Sequence, residues 1–237
     1  MKVILIIPAY NEEENILRVC KELEEKGIEY VVINDGSKDN TAKILDENKL
    51  NHVDLVENLG IGGAVQTGYK YALENGYDIA IQFDGDGQHD ANYVKEICKE
   101  IENNKCNICI GSRYLDDTTS GFKSTAMRRL GKNIISVLIK MFWKVIITDP
   151  TSGFRAVDKN VIEIFAEDYP SDYPEPESIV TILKHDLKVL EVPVNMKERI
   201  GGKSFVNPWT SIKYMVKVSF AIIIDSIRLK TNKGGEK

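Results

Sequence analysis

Through the first half of the chain, short apolar runs alternate with helix-like stretches, and most of those runs end in a polar cluster. Residues 2–8 are an apolar run closed by Pro8, which marks a buried strand. Further strands are predicted over 29–34, 53–56, 77–83 and 106–111. Helix signals lie between them. Asn11 stands at a capping position with Glu14 three places on and Ile16, Cys20 and Leu23 on one face. Ala42, Ile44 and Leu45 mark a short helix, and Val65, Tyr69 and Ala72 mark another that opens from the glycine-rich stretch 58–63. A last helix is expected over 91–101. Strands alternating with helices predict an α/β fold with a mostly parallel sheet covered on both faces. Ligands of such sheets sit at the carboxyl ends of strands. Tyr10-Asn11-Glu12, Asp35-Gly36-Ser37, Asp84-Gly85-Asp86 and Gly111-Ser112-Arg113 stand at four of those ends. Turn chemistry alone accounts for part of this clustering; a nucleotide site accounts for all of it.

The second half reads differently. Residues 124–147 form a long helical stretch, basic at its start through Arg128, Arg129 and Lys132. Thr151-Ser152-Gly153-Phe154-Arg155 is a polar turn, 169–177 a proline-rich loop and 188–194 a strand. Residues 199–204 are a basic loop with glycines. Residues 208–230 are a final helix, with Lys213, Lys217, Arg228 and Lys230 among apolar side chains.

Composition excludes several classes. The 237 residues are 43% hydrophobic and 28% charged, as in globular domains, which excludes a disordered or repetitive chain. The formal net charge of -5 argues against nucleic acid as a partner. No apolar stretch reaches the roughly 18 residues a membrane-spanning helix needs. The apolar run at the N-terminus is too short for a signal peptide and lacks a cleavage site. Four cysteines are few for this length and suit a reducing cytoplasm. Cys106 and Cys109 have CxxC spacing, but His52, His89 and His185 supply no second ligand pair for zinc. On a strand, positions three apart face opposite sides, so both are expected to be separate core thiols.

Asp84-Gly85-Asp86, directly after a strand, is the constellation that carries chemistry. Two carboxylates one residue apart at a strand end suit a hard divalent cation, Mg²⁺ or Mn²⁺. Such an ion stabilises a diphosphate leaving group. Gln88 and His89 add an oxygen and a nitrogen as further candidate ligands. The run is no EF-hand, since Lys95 stands where the closing glutamate belongs. Gly60-Ile61-Gly62-Gly63 is neither a dinucleotide fingerprint nor a Walker A loop. Amides near Gly62 offer a phosphate contact at a helix start; a plain tight turn is the alternative.

These motifs together resemble glycosyltransferase family 2, whose fold is GT-A (Rossmann-like), and within it the polyprenyl-phosphate monosaccharide transferases. The resemblance rests on Pro8-Ala9-Tyr10-Asn11-Glu12, Asn34-Asp35-Gly36-Ser37, Asn58-Leu59-Gly60, Asp84-Gly85-Asp86-Gly87-Gln88-His89, Gly111-Ser112-Arg113, Asp149-Pro150-Thr151-Ser152-Gly153-Phe154-Arg155 and the loop 199–204. It implies a GT-A domain over 1–206 and an amphipathic C-terminal extension over 207–237. It implies that Pro8, Tyr10, Glu12 and Asp35 hold the base and ribose of a UDP- or GDP-sugar. Asp84 contacts the nucleotide, and Asp86 with Gln88 ligates the metal. Arg113 and Arg129 lie near the acceptor phosphate, Arg199 and Lys203 close over the donor, and Asp86, Arg113, Arg129, Asp149 and Glu177 are the expected catalytic residues. Glu175 and Glu177 are candidates for a further acidic role. Asn34 stands where the family more often has aspartate.

The acceptor decides how much machinery is needed. A sugar hydroxyl needs a general base. A lipid phosphate has a second pKa near ~6 and is already largely dianionic, so it needs only cations to orient it. Arginines at 113, 128 and 129 suit that task. The expected reaction is inverting, metal-dependent transfer of a sugar from the nucleotide to polyprenyl phosphate on the cytoplasmic membrane face. The protein is expected to be peripheral, held by its last helix or by a separate small membrane protein. The alternatives are transfer to a sugar hydroxyl of a polysaccharide or glycolipid, and a non-catalytic nucleotide-sugar-binding regulator.

Overall fold

The structure, a computed structural model, describes residues 1–115, 126–197 and 216–224. Its sheet has strands β1 (Val3–Ala9), β2 (Tyr30–Asn34), β3 (His52–Asp54), β4 (Ile79–Gln82), β5 (Ile108–Ser112), β6 (Arg155–Asp158) and β7 (Val189–Pro193). They lie side by side in the order β3-β2-β1-β4-β6-β5-β7. All neighbours pair in parallel except β6, which runs antiparallel to both β4 and β5. Helices cover both faces, as the alternation predicts: α1 (Ile16–Glu25), α2 (Thr41–Glu47), α3 (Gly60–Glu74), α4 (Val94–Glu102), α5 (Ala126–Trp143), α6 (Lys159–Glu167), α7 (Pro174–Lys184) and α8 (216–224).

Burial on both faces is why β1, β2, β4 and β5 read as apolar runs. Alternate residues of each strand serve opposite cores. Ile4, Ile6, Val31, Ile33, Ile108 and Ile110 pack with Val65 and Tyr69 of α3, Phe165 of α6 and Ile179 of α7. Leu5, Ile7, Val32 and Ile81 pack with Val19 and Leu23 of α1 and Ile97 of α4.

Four local expectations are corrected. Asn11 does not cap a helix. Its φ of 56 is left-handed, a conformation asparagine tolerates, and α1 starts only at Ile16. The Asn11 amide instead donates to Ser37 Oγ (3.0 Å) and its Oδ1 accepts from the Lys38 amide (2.8 Å), joining the ends of β1 and β2. The Thr151–Arg155 turn leads straight into β6, a strand that carries an arginine and an aspartate in four residues and so lacks an apolar run. Part of the proline-rich loop is helical: Pro174 starts α7, where a proline costs no hydrogen bond. Cys106 and Cys109 are buried, as expected, but not on opposite sides. Cys106 precedes β5 and escapes its alternation, and the two thiols hydrogen-bond within one core.

Arg155 is fully buried at the start of β6. It donates to the carbonyls of Ser152 and Glu175 and to Ser178 Oγ (2.7 Å), clamping the turn before β6 to the first turn of α7. Removing it strands buried carbonyls without donors. Arg155→Met is expected to lower stability by about 3 kcal/mol in urea unfolding; a change below about 0.5 kcal/mol would contradict the clamp.

Candidate active site

The carboxyl ends of β1, β2, β4 and β5 lie along one edge of the sheet, and the antiparallel direction of β6 brings the turn before it to that edge too. Two groups of side chains meet there.

The first group belongs to β1, β2 and β4. Pro8 ends β1 buried, and Tyr10 is exposed beyond it. Glu12 accepts from the Asn15 amide nitrogen at 2.9 Å, while its own backbone N–H donates to Thr41 Oγ1 at 2.9 Å. Asp35 is nearly fully buried, and its Oδ1 accepts from the Leu59 N–H (2.7 Å) at the start of α3. Asn34 donates to Asp54 Oδ1 at 2.6 Å, so its side chain ties β2 to β3. Gly85 lies against the Pro8 carbonyl and the Glu12 side chain: a Cβ added there would stand 3.2 Å and 3.8 Å from them. The predicted base and ribose residues and the Asp84-Gly85-Asp86 turn are thus neighbours. Gly62 is buried in α3, and a Cβ there would meet the backbone of Pro170 and Ser171. Close packing accounts for this glycine.

The second group belongs to β5, β7 and the turn before β6. Arg113 grips Asp149 with two prongs, Nε to Oδ2 at 2.7 Å and Nη2 to Oδ1 at 2.8 Å. Its Nη2 also donates to Thr151 Oγ1 at 3.1 Å. Burial opposes the charge on Arg113, but the Asp149 carboxylate outweighs it and leaves the pKa above its ordinary value. Asp149 is fully buried and therefore acts through Arg113 rather than on a ligand. Sequence reasoning missed Glu191 of β7. It accepts from the Thr148 and Asp149 amides, both at 2.7 Å, and fixes the turn that presents Asp149. A lone carboxylate inside an apolar strand run was the available signal, because a buried charge must find partners. Lys132 of α5, also absent from the predicted set, donates to the Thr148 carbonyl (2.9 Å) and lies 4.3 Å from the Tyr114 ring. Burial lowers its pKa.

Asp84 joins the two groups. A Cβ at Gly153, in the turn before β6, would stand 3.3 Å and 3.4 Å from the Asp84 carboxylate oxygens, so the glycine lets this turn pack closely against Asp84. Asp86 Oδ1 accepts from the Gln88 N–H at 3.0 Å, which folds the turn back on itself. Glu175 of α7 hydrogen-bonds Gln82, and burial raises its pKa, with Arg155 opposing and Asp84 adding to the rise. Glu177 sits half-buried in the same helical turn. His89 is not available as a metal ligand. Its Nδ1 accepts from the Asp84 N–H at 2.9 Å and the ring is almost wholly buried. Burial holds it neutral, its pKa pushed down to about 4. Arg129 is exposed on α5. Arg199 and Lys203 lie outside the described residues, as does the side chain of Arg128.

Among the described residues, no group of three or more histidine, cysteine, aspartate or glutamate side chains is arranged to hold a metal. The site offers two carboxylates, Asp84 and Asp86, and an amide oxygen at Gln88. An all-oxygen, incomplete set fits an ion such as Mg²⁺ or Mn²⁺ that shares its shell with a substrate diphosphate.

Residues 4–165 match the family described as glycosyl transferase family 2. The chain belongs to that family. This glycosyltransferase is 33% identical over 214 residues to the UDP-N-acetylglucosamine–dolichyl-phosphate N-acetylglucosaminyltransferase of Methanococcus voltae, covering 80% of this chain and 83% of the relative. It is 26% identical over 230 residues to polyprenol monophosphomannose synthase of Mycolicibacterium smegmatis, covering 92% and 86%. In fold, the glycosyltransferase is similar to glucosyl-3-phosphoglycerate synthase of Mycobacterium tuberculosis, solved with Mn²⁺, UDP and glucosyl-3-phosphoglycerate. The TM-score is 0.67 at 16% identity, with 95% of this chain and 79% of that one covered. The GT-A architecture expected from the motifs is thereby borne out.

The Arg113–Asp149 pair is short, two-pronged and largely hidden from solvent. A double-mutant cycle with Arg113→Ala and Asp149→Ala, read by urea unfolding, should give a coupling of about 2 kcal/mol. A coupling below about 0.5 kcal/mol would show the pair to be solvated.

Proposed function

We propose that this glycosyltransferase moves a sugar from a UDP- or GDP-sugar to a polyprenyl phosphate, with inversion, at the cytoplasmic face of a membrane. The observation that carries this reading is Arg113. It is held rigid by Asp149 at the edge of the sheet where nucleotide-binding motifs also converge. A dianionic phosphate placed beside it needs orientation rather than deprotonation. The names of the relatives point the same way, since both act on polyprenyl-type phosphates.

In this reading Pro8, Tyr10, Glu12 and Asp35 hold the nucleoside. Asp84, Asp86 and Gln88 hold Mg²⁺ or Mn²⁺, which neutralises the diphosphate as it departs. Arg113 aligns the acceptor phosphate on the opposite face of the sugar, so that the new bond to the anomeric carbon forms as the bond to the diphosphate breaks. Asp149 and Glu191 keep Arg113 in place. Arg129 contributes positive potential at the surface, Glu177 shapes the wall beside the sugar, and Arg199 and Lys203 follow the last strand as cations for the donor.

The acceptor brings a membrane with it. Leu130, Ile134, Val137 and Met141 recur at helical spacing along α5 and are all exposed, as are Val216, Phe220 and Ile224 along α8. The opposite faces of both helices enter one core through Ile135, Ile139, Val218 and Ile222. Exposed Arg129, Lys140 and Lys217 accompany the apolar stripes. Apolar stripes with basic companions suit the headgroup region of an anionic bilayer. No helix among the described residues is long and apolar enough to cross a membrane.

Incubation with a short-chain polyprenyl phosphate, Mg²⁺ or Mn²⁺ and a panel of UDP- and GDP-sugars should yield a monoglycosylated lipid phosphate. Asp86→Ala should abolish that product. Arg113→Lys replaces a fork with a point charge and should raise the acceptor KM by about tenfold, about 1.4 kcal/mol, while the donor KM stays put. Transfer to a free sugar hydroxyl with no lipid-phosphate product would overturn the reading. In flotation with anionic vesicles the protein should rise with the lipid, and Val137→Glu with Met141→Glu should leave it at the bottom; equal flotation of both would remove the α5 surface from the membrane contact.

A further inference from the structure

We propose that His89 is a positioning residue, a clamp that fixes Asp84 at the end of β4 in the place a divalent cation requires. The inference rests on the reading of Asp84 as a ligand of that cation.

Both ring nitrogens of His89 engage the same residue. Nδ1 accepts the Asp84 backbone N–H at 2.9 Å, so Nδ1 is the unprotonated nitrogen and the ring proton sits on Nε2. Nε2 faces Asp84 Oδ2 across 3.4 Å. One nitrogen is hydrogen-bonded to the main chain of Asp84, and the other lies beside its carboxylate. The ring itself has little freedom to turn. It stacks on Phe154 at 4.9 Å, with 23° between the planes, and meets Phe83 edge-on at 5.4 Å. Phe83 precedes Asp84 in the chain, and Phe154 belongs to the turn before β6. Through this one ring the two halves of the site are held in register.

The hydrogen bond from the Asp84 main chain and the packed ring together fix where the end of β4 stands. Groups that position ligating residues from behind tune metal sites elsewhere.

The test uses the full-length protein. Nitrogen-15 NMR of the metal-free protein should show His89 as the Nε2–H tautomer; the Nδ1–H tautomer overturns the proposal. Mn²⁺ alone, titrated by the EPR signal of the free ion, reports affinity without turnover. His89→Phe keeps the ring packing and removes both nitrogens, and should weaken Mn²⁺ binding by about 10- to 100-fold. His89→Gln restores an acceptor for the Asp84 N–H and should recover part of the loss. Thermal unfolding in EDTA checks that each variant is folded, and the tautomer measurement on the unmutated protein decides the matter if His89→Phe is not. Wild-type Mn²⁺ affinity in folded His89→Phe overturns the proposal. Asp84→Asn separates the two claims. Loss of Mn²⁺ binding there, alongside unchanged binding in His89→Phe, sinks the clamp alone. Unchanged binding in Asp84→Asn sinks the ligand reading with it.

Discussion

Strand β4 lies between parallel β1 and antiparallel β6, and this mixed pairing is what the site depends on. A strand delivers its carboxyl end to one edge of the sheet, and parallel neighbours deliver theirs to the same edge. Antiparallel β6 delivers its beginning there instead. The turn after β4 therefore meets the end of β1, with Pro8 and Glu12, at Gly85 and the Gly153 turn at the Asp84 carboxylate. Were β6 parallel, the Asp149–Phe154 turn would lie at the far edge, and Arg113 would lose the partner that holds it.

The chain commits two buried charged arrangements to that edge, and each is costly unless fully satisfied. Arg113, Asp149 and Glu191 satisfy one another through two-pronged and backbone hydrogen bonds. Arg155 discharges its donors onto Ser152, Glu175 and Ser178. Neither arrangement is an economical way to stabilise a fold, since apolar side chains of similar size would do as well. What they supply is orientation: Arg155 sets α7 against the turn, and Asp149 fixes the guanidinium of Arg113.

How much of this was legible in the chain depended on burial pattern. β1, β2, β4 and β5 announce themselves because both faces are covered and their residues are correspondingly apolar. β6 was invisible because Arg155 is buried through hydrogen bonds rather than through apolar character. α7 was hidden by Pro174 and Pro176, which suggest a loop yet are tolerated in the first turn of a helix. The motifs placed Asp84, Asp86, Arg113 and Asp149 along one edge of the sheet, because strand ends are readable. They could not show that Asp149 faces inward to Arg113, or that His89 turns both nitrogens to Asp84, because side-chain direction follows from tertiary packing. The Cys106–Cys109 pair shows the same limit: alternation holds only inside a strand, and Cys106 stands before one.

The central claim is that Asp84 and Asp86 share a divalent ion with the diphosphate of a bound nucleotide. Anomalous diffraction from crystals grown with Mn²⁺ and a nucleoside diphosphate tests it most directly. The expected result is a single strong manganese peak at the end of β4, within bonding distance of Asp84 and Asp86 oxygens and of the nucleotide diphosphate. A well-ordered diphosphate at that edge without manganese beside these carboxylates would contradict it.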